Sequence, residues 1–242
     1  MAFYGGRRTK MSKKEMKNLS NIDLLSELKP ADLKKVGEFC SFKHYDAQEQ
    51  IIDRQSESTD VFFVVSGEIR VVIYSLSGRE ITLDDLSAGG YFGDLAAIDG
   101  EPRSASVMAL TDCLVASLPQ NHFLSLLETH PPVALKVMKS LTRIIRTATD
   151  RIMDLSTLAA NNRVHADLLR LARNHMGEGN TAEISPIPMH SDIASRVSTT
   201  RETVARVLND LARNGLVERQ KEVMVVLDVE LLSDMVEEVR GE

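Results

Sequence analysis

The stretch Val133 to Leu158, VALKVMKSLTRIIRTATDRIMDLSTL, decides how the rest of the chain is read. Met138, Leu141, Ile145, Ala148, Ile152 and Leu155 follow one another at spacings of three, four, three, four and three. That alternation is a heptad seam on one long helix. At about 1.5 Å per residue, roughly 26 residues make a rod of about 39 Å. Pro131 and Pro132 precede it, where a missing N–H costs least. Lys136, Lys139, Arg143, Arg146, Thr147, Thr149 and Asp150 occupy most of the other faces. The apolar stripe could pack on the helix's own domain or against a second copy of the chain. A parallel homodimer seam is the expectation, because the sequence on each side of the rod reads as a separate domain.

Composition narrows the class. Of 242 residues, 43% are hydrophobic and 5% aromatic, enough for ordinary globular cores in one or two domains. The net charge of −6 means that any DNA-binding surface must concentrate its positive charge locally. Cys40 and Cys113 have no C-x-x-C spacing and read as small core residues, which suits a reducing cytoplasm. Two thiols cannot make a four-thiolate zinc or iron–sulfur site. No apolar run reaches about 18 residues, so neither a membrane span nor a secretion signal is expected. His44, His122, His130, His165, His175 and His190 show no metal spacing, and no Ser/His/Asp set is suggested. The expectation is a cytoplasmic protein that is not an enzyme and needs no metal.

Residues 1–20 carry Arg7, Arg8, Lys10, Lys13, Lys14 and Lys17 against Glu15, and read as a flexible basic arm. Asn21 to Phe39 reads as one or two short helices. From Ser41 to Leu118 the period shortens. Ile51-Ile52, Val61–Val65, Ile69–Tyr74, Ile81–Leu83, Ser106–Met108 and Cys113–Ser117 are short strand signals separated by Gly- and Ser-rich turns, one of them at Leu76 to Arg79. Many short strands at close spacing predict an antiparallel barrel or jelly roll. Asn121 to Glu128 reads as a short helix ahead of the rod, and Ala159 to His175 as an amphipathic one after it. Gly177 to Pro188 reads as a loop. Two helices follow, about Met189–Val197 and Thr200–Asn214, with Gly215 closing the second. A hairpin over Val217–Leu227 and a terminal helix over Val229–Val239 complete an α+β chain. The domain boundaries are 1–20, 21–132, 133–158 and 159–242.

Two motifs carry chemistry. In Tyr91 to Ala105, Gly93 lets the backbone approach a ligand, and Leu95 to Ile98 can form one helical turn with free N–H groups. Arg103 supplies a planar charged fork for a phosphate and Ser104 a hydroxyl donor. Asp94 would repel a phosphate, so it suits a neutral partner such as a sugar hydroxyl. Alternatively, Asp94 and Arg103 pair and close a surface loop. The second motif runs from Met189 to Glu218. Ile193, Ala194, Val197, Val204, Val207, Leu208 and Leu211 fit the interior of two crossing helices, with the turn and N-cap at Ser198-Thr199-Thr200. Thr199 and Glu202 have capping-box spacing. Arg201, Glu202 and Arg206 then stand near the start of the second helix, the part that a helix-turn-helix places in the major groove. Residues 190–219 hold five Arg against two Asp and two Glu, a net of only +1.

The run Gly93-Asp94-Leu95 … Pro102-Arg103-Ser104-Ala105, between a β-rich region and a long helix, resembles the cyclic-nucleotide cassette of the cAMP receptor protein and fumarate–nitrate regulator (CRP/FNR) family. Thr200-Arg201-Glu202-Thr203-Val204-Ala205-Arg206 resembles the recognition helix of the same family. The resemblance runs from about Ile22 to the C-terminal region. It implies an N-terminal β jelly-roll cyclic-nucleotide-binding domain, a long dimerisation helix and a C-terminal winged helix-turn-helix domain. It implies that Arg103 and Ser104 hold the cyclic phosphate of cAMP or cGMP, within a loop that includes Gly93, Leu95 and Ala105. Asp94 would hold the ribose 2′-hydroxyl, where nucleotide-binding relatives usually carry Glu. The base would meet the long helix at Thr149, with Thr147 and Ala148 nearby. Arg201, Glu202 and Arg206 would read a TGTGA-like half-site, Thr199 and Thr200 would touch phosphates, and the partners would be palindromic double-stranded DNA and RNA polymerase. A family member that binds DNA constitutively, or senses another signal, remains the alternative. Haem held by histidine also stays open.

Overall fold

The computed structural model describes residues 17–75, 78, 80–177 and 179–241. The basic residues before Lys17, and Leu76, Ser77 and Arg79 of the expected turn, lie outside the described residues. The chain divides into two compact units between Thr142 and Arg143.

The first unit opens with 3-10 turns at Lys17–Asn21 and Asp23–Leu25. Leu19 is fully buried there, with Ile22, Leu24 and Leu25. Residues 17–20, expected to belong to a flexible arm, are therefore part of the folded unit. Burying a leucine is worth about 1.5–3 kcal/mol, which a solvated arm would forgo. Helix α1 (Pro30–Phe39) follows and starts on its proline, whose fixed φ suits the first helical position.

Eight strands build two four-stranded antiparallel sheets: β1 (Ser41–Tyr45), β2 (Gln50–Ile52), β3 (Val61–Ser66), β4 (Glu68–Tyr74), β5 (Glu80–Ser87), β6 (Tyr91–Phe92), β7 (Ser106–Ala109) and β8 (Cys113–Leu118). Their orders are β1-β8-β3-β6 and β2-β7-β4-β5. β1 and β6 were not among the predicted strands: one is mostly polar and the other only two residues long. β3 shows why the pattern works. Val61 and Phe63 enter one core with Leu118 and Phe123, while Val64 enters the other with Ile69, Val107 and Val115. Alternate side chains of a strand point to opposite faces, so a strand covered on both sides reads as an unbroken apolar run. Helix α2 (Asp94–Asp99) interrupts the sheets between β6 and β7. Cys113 is buried, and Cys40 packs partly buried against the β-domain core, where burial pushes its thiol up to about 12.

Helix α3 (Gln120–Thr129) leads into the long helix α4 (Pro131–Thr157), two residues earlier than the predicted start and one earlier than the predicted end. Its first turns belong to the first unit. Val133 and Val137 are buried in the β-domain core, and Leu141 packs against it partly buried. Lys136 Nζ reaches Asp23 O and Ser26 Oγ, both at 2.7 Å.

The second unit holds the last turns of α4, then α5 (Ala160–Asn174), β9 (Ala182–Ile184), α6 (His190–Arg196), α7 (Arg201–Arg213), β10 (Val217–Gln220), β11 (Val223–Val226) and α8 (Val229–Arg240). The expected loop from Gly177 to Pro188 contains β9, which pairs with β11 and makes the hairpin a three-stranded sheet. Ala182 and Ile184 are buried on either side of an exposed Glu183, an alternation too short to recognise in a Gly- and Pro-rich stretch. One core joins Val164, Leu168 and Ala172 to Ile193, Val204, Val207, Leu211, Val226 and Leu232. Among the described residues no helix is long and apolar enough to cross a membrane.

Candidate functional site

Two separate sites emerge, one in each unit. In the first, β6 ends on Phe92, whose ring stacks on Phe62 at 5.1 Å. Gly93 then turns the chain with φ +83°, and α2 begins. A Cβ at Gly93 would lie 2.7 Å from Arg103 Nη1 and 3.0 Å from Asp60 O, so a side chain is excluded by space as well as by φ. Gly100 ends α2 with φ +75°. The chain returns through residues 101–105, stitched by Arg103 N to Ser56 O at 3.0 Å and Gln55 N to Arg103 O at 2.9 Å.

Arg103 is 3% exposed. Its Nε donates to Ser58 Oγ at 3.0 Å, Nη1 to Gly93 O at 2.8 Å and Nη2 to Asp60 O at 2.6 Å. The guanidinium lies 5.4 Å from the Phe62 ring centre. It ties the cassette to the β2–β3 connection, and so the expected alternative, an Asp94–Arg103 pair closing the loop, is not how the fork is used. Burial lowers the Arg103 pKa, while the nearby Asp60 and Asp94 charges oppose that shift. Asp94 is 8% exposed. Burial pushes its carboxyl above the ordinary value; bonds from its own N–H and that of Leu95, and the Arg103 charge, act the other way. Ser104 and Leu95 are exposed, and Ala105 is buried. Thr147, Ala148 and Thr149 lie on the part of α4 that belongs to the second unit, and the Thr149 hydroxyl donates to Ile145 O at 3.0 Å.

The expected seam residues Met138, Ile145, Ile152 and Leu155 are 55, 65, 63 and 50% exposed. Ala148 is exposed too. Leu141 differs, because it packs on its own β-domain. Leu135, Ile144 and Met153 add exposed apolar surface that the heptad reading did not include.

In the second unit, α6 and α7 cross over Ile193, Ala194, Val204, Val207 and Leu211, all buried. The turn between them carries Ser198 at φ +52°. Thr199 N donates to Ala194 O at 3.0 Å. The N-cap is Thr200, whose Oγ1 accepts from Thr203 N at 3.2 Å, and not the expected Thr199–Glu202 box. The cap moves by one residue because Thr199 is still held by α6. Thr200→Ala is therefore expected to cost about 1 kcal/mol of unfolding free energy, and Thr199→Ala much less, in chemical denaturation. The reverse order would restore the box.

Arg201, Glu202 and Arg206 are exposed together on the first two turns of α7. The Glu202 carboxyl is held below its ordinary pKa first by its own backbone N–H, then by the Thr200 hydroxyl, with Arg201 adding to this. Arg206 Nη2 donates to Asn161 Oδ1 at 3.1 Å, which fixes the direction of the side chain. Sequence reasoning missed Asn161. It also missed Arg163, which donates to Leu158 O at 2.9 Å, Val197 O at 2.9 Å and Ser198 O at 3.1 Å, and so braces the turn. Neither is near its partners in the chain, apart from Leu158, and a lone polar residue in an amphipathic helix gives no local signal. Among the described residues no group of three or more His, Cys, Asp or Glu could hold a metal ion.

Known families match both units. The cyclic nucleotide-binding domain matches residues 42–130 and the Crp-like helix-turn-helix domain residues 162–235. The chain is 34% identical over 175 residues to the cyclic AMP receptor protein of Thermus thermophilus, covering 72% of this chain and 78% of that one. It is 25% identical over 188 residues to the cAMP-activated global transcriptional regulator of Salmonella typhimurium, covering 77% and 90%. Its fold is similar to that of a CooA mutant from Carboxydothermus hydrogenoformans, with a TM-score of 0.76, 22% identity and coverage of 88% and 94%.

Proposed function

The chain belongs to the CRP/FNR family of DNA-binding transcription regulators, and from that premise we propose that it is a homodimer whose grip on a palindromic operator is set by cAMP or cGMP. The observation that carries this reading is the cassette. A buried arginine, a glycine that admits no side chain and an exposed serine converge on one loop, the donor set a cyclic phosphate needs. Asp94 would take the ribose hydroxyl and Thr149 the base. The exposed stripe of Met138, Ile145, Ala148, Ile152 and Leu155 would meet its copy, and two recognition helices would then face a two-fold DNA site.

A ligand shifts such a switch only by binding the DNA-competent form more tightly. The test is operator affinity with and without each nucleotide. A rise of 5- to 150-fold, about 1–3 kcal/mol of coupling, is expected. Equal affinities would leave a DNA-binding protein without this switch.

Arg201, Glu202 and Arg206 would read a TGTGA-like half-site, Arg206 as a bidentate partner of guanine. Arg206→Ala is expected to cost about 1–3 kcal/mol at one base pair of each half-site, measured over a set of singly substituted operators. A uniform loss across all sequences would make Arg206 a phosphate contact instead. Thr199 and Thr200 would contact phosphates, and RNA polymerase would be the partner on DNA.

One observation favours a second reading, a regulator that responds to something other than a nucleotide. Arg103 already spends three donors on Ser58, Gly93 and Asp60 of its own domain. The same affinity measurement separates the two.

A further inference from the structure

At the end of the long helix begins a chain of charges, two buried carboxylates joined by half-buried arginines, that none of the sites above uses. Asp154, in the last turn of α4, is 5% exposed, and Asp167, in α5, is 2% exposed. Arg170 bridges them, with Nη2 to Asp154 Oδ2 and Nη1 to Asp167 Oδ1, both at 3.0 Å. The second oxygen of Asp154 takes Arg240 Nη2, from α8. Asp167 also takes Arg196, the last residue of α6, through a hydrogen bond from Nε at 3.0 Å and an ion-pair contact of Nη2 at 2.9 Å. The path Asp154–Arg170–Asp167–Arg196 therefore runs from the rod, through α5, to the first helix of the DNA-reading pair. The Arg163 brace runs beside it, from Leu158 O to the turn before α7.

Buried ion pairs are a poor way to add stability, because desolvation offsets most of the attraction. They are a good way to hold one geometry, since every alternative leaves a buried charge unpaired. Three helices that meet only through apolar side chains could slide over one another, whereas forked arginines on carboxylates fix angle and register.

We infer that Asp154 is a positioning residue: through Arg170, Asp167 and Arg196 it fastens the last turns of the long helix to the DNA-reading helices, so that the reader and those last turns move as one piece. The inference rests on the proposed dimeric reading of DNA, and it places any bend of the mechanism above Asp154 in the rod. Its consequence is spacing. Two readers mounted stiffly on paired rods accept one separation of half-sites, and loosely mounted readers accept several.

The test lets the full-length wild-type protein select duplexes from a random DNA pool. Binding is then measured on the selected duplex, on versions with one base pair added or removed between half-sites, and on a single half-site. Wild type is expected to discriminate sharply against the altered spacings. Asp154→Asn is expected to lower that discrimination about tenfold, with single-half-site affinity held within about twofold. Arg170→Gln should do the same, and the double variant should lose no more than either single one, because both cut one path. Arg240→Gln removes only one of Asp154's two partners and decides the matter if Asp154→Asn does not fold; it should give a smaller loss of the same kind. Unchanged discrimination in the folded variants would overturn the inference, as would an equal loss on the single half-site, which marks a merely structural role. Selection by wild type of duplexes with no two-fold symmetry would instead overturn the dimeric reading on which the inference stands.

Discussion

Arg103→Lys is expected to fold and to lose cyclic-nucleotide affinity by about a hundredfold. Lysine keeps the charge but not the planar fork. One ammonium cannot serve Ser58 Oγ, Gly93 O and Asp60 O, which stand on three sides of the guanidinium, and also pair with both oxygens of a phosphate. A charge-assisted hydrogen bond is worth about 1.5–3 kcal/mol net, and about 2.7 kcal/mol corresponds to a hundredfold in affinity. Arg103→Ala should go further and remove the response altogether. It also strips the donors from Gly93 O and Asp60 O, so the sensor unit should lose about 2–5 kcal/mol of stability. Calorimetric titration with cAMP and cGMP, beside a thermal melt, separates the two effects. A lysine variant that binds nucleotide like wild type would mean that the arginine serves only its own loop, and the second reading would prevail.

Ile145→Glu should convert the protein to monomers while leaving each chain folded. Ile145 is 65% exposed in the single chain, so nothing in the chain's own core depends on it. In a paired seam the same position would be covered, and each protomer would bring one unpaired carboxylate into it. Burying an ion without a partner costs several kcal/mol, and the two-fold repeat doubles the cost. The dissociation constant is expected to rise by at least about a thousandfold, the equivalent of about 4 kcal/mol. Sedimentation velocity over a concentration series reads it directly, and the melting of the isolated chain should stay close to wild type. Ile152→Glu should behave alike. Leu141→Glu is the contrast: Leu141 packs on the β-domain, so its change should unsettle the fold of the sensor unit as well as the pairing. Wild-type mass unchanged in Ile145→Glu would move the interface off this stripe.

The order of the longer elements was legible from periodicity, while β1 and β6 were not. The rod, the short strands and the two reading helices each repeat an apolar residue at the spacing of their own backbone, and that spacing survives in the linear chain. β9 and the 3-10 turn at Lys17 were not legible, since three or five residues are too few to show a period. The N-cap was placed one residue early because Thr199 and Thr200 are chemically alike. Only the hydrogen bond from Thr199 N back to Ala194 shows which of them has left the first helix.

By itself the sequence determined the kinds of elements, the two domains around a long helix, and the residue types of the cassette and the reading helix, because local spacing and side-chain chemistry are properties of neighbours. Tertiary structure alone decided what those residues are doing. It turned Arg103 toward the carbonyls of Gly93 and Asp60, Leu141 toward its own domain, and three half-buried arginines from three helices onto two buried carboxylates. Hydrogen-bond partners such as Arg103 and Gly93, ten residues apart, or Arg240 and Asp154, 86 apart, are chosen by packing, and packing leaves no mark on the spacing of either partner.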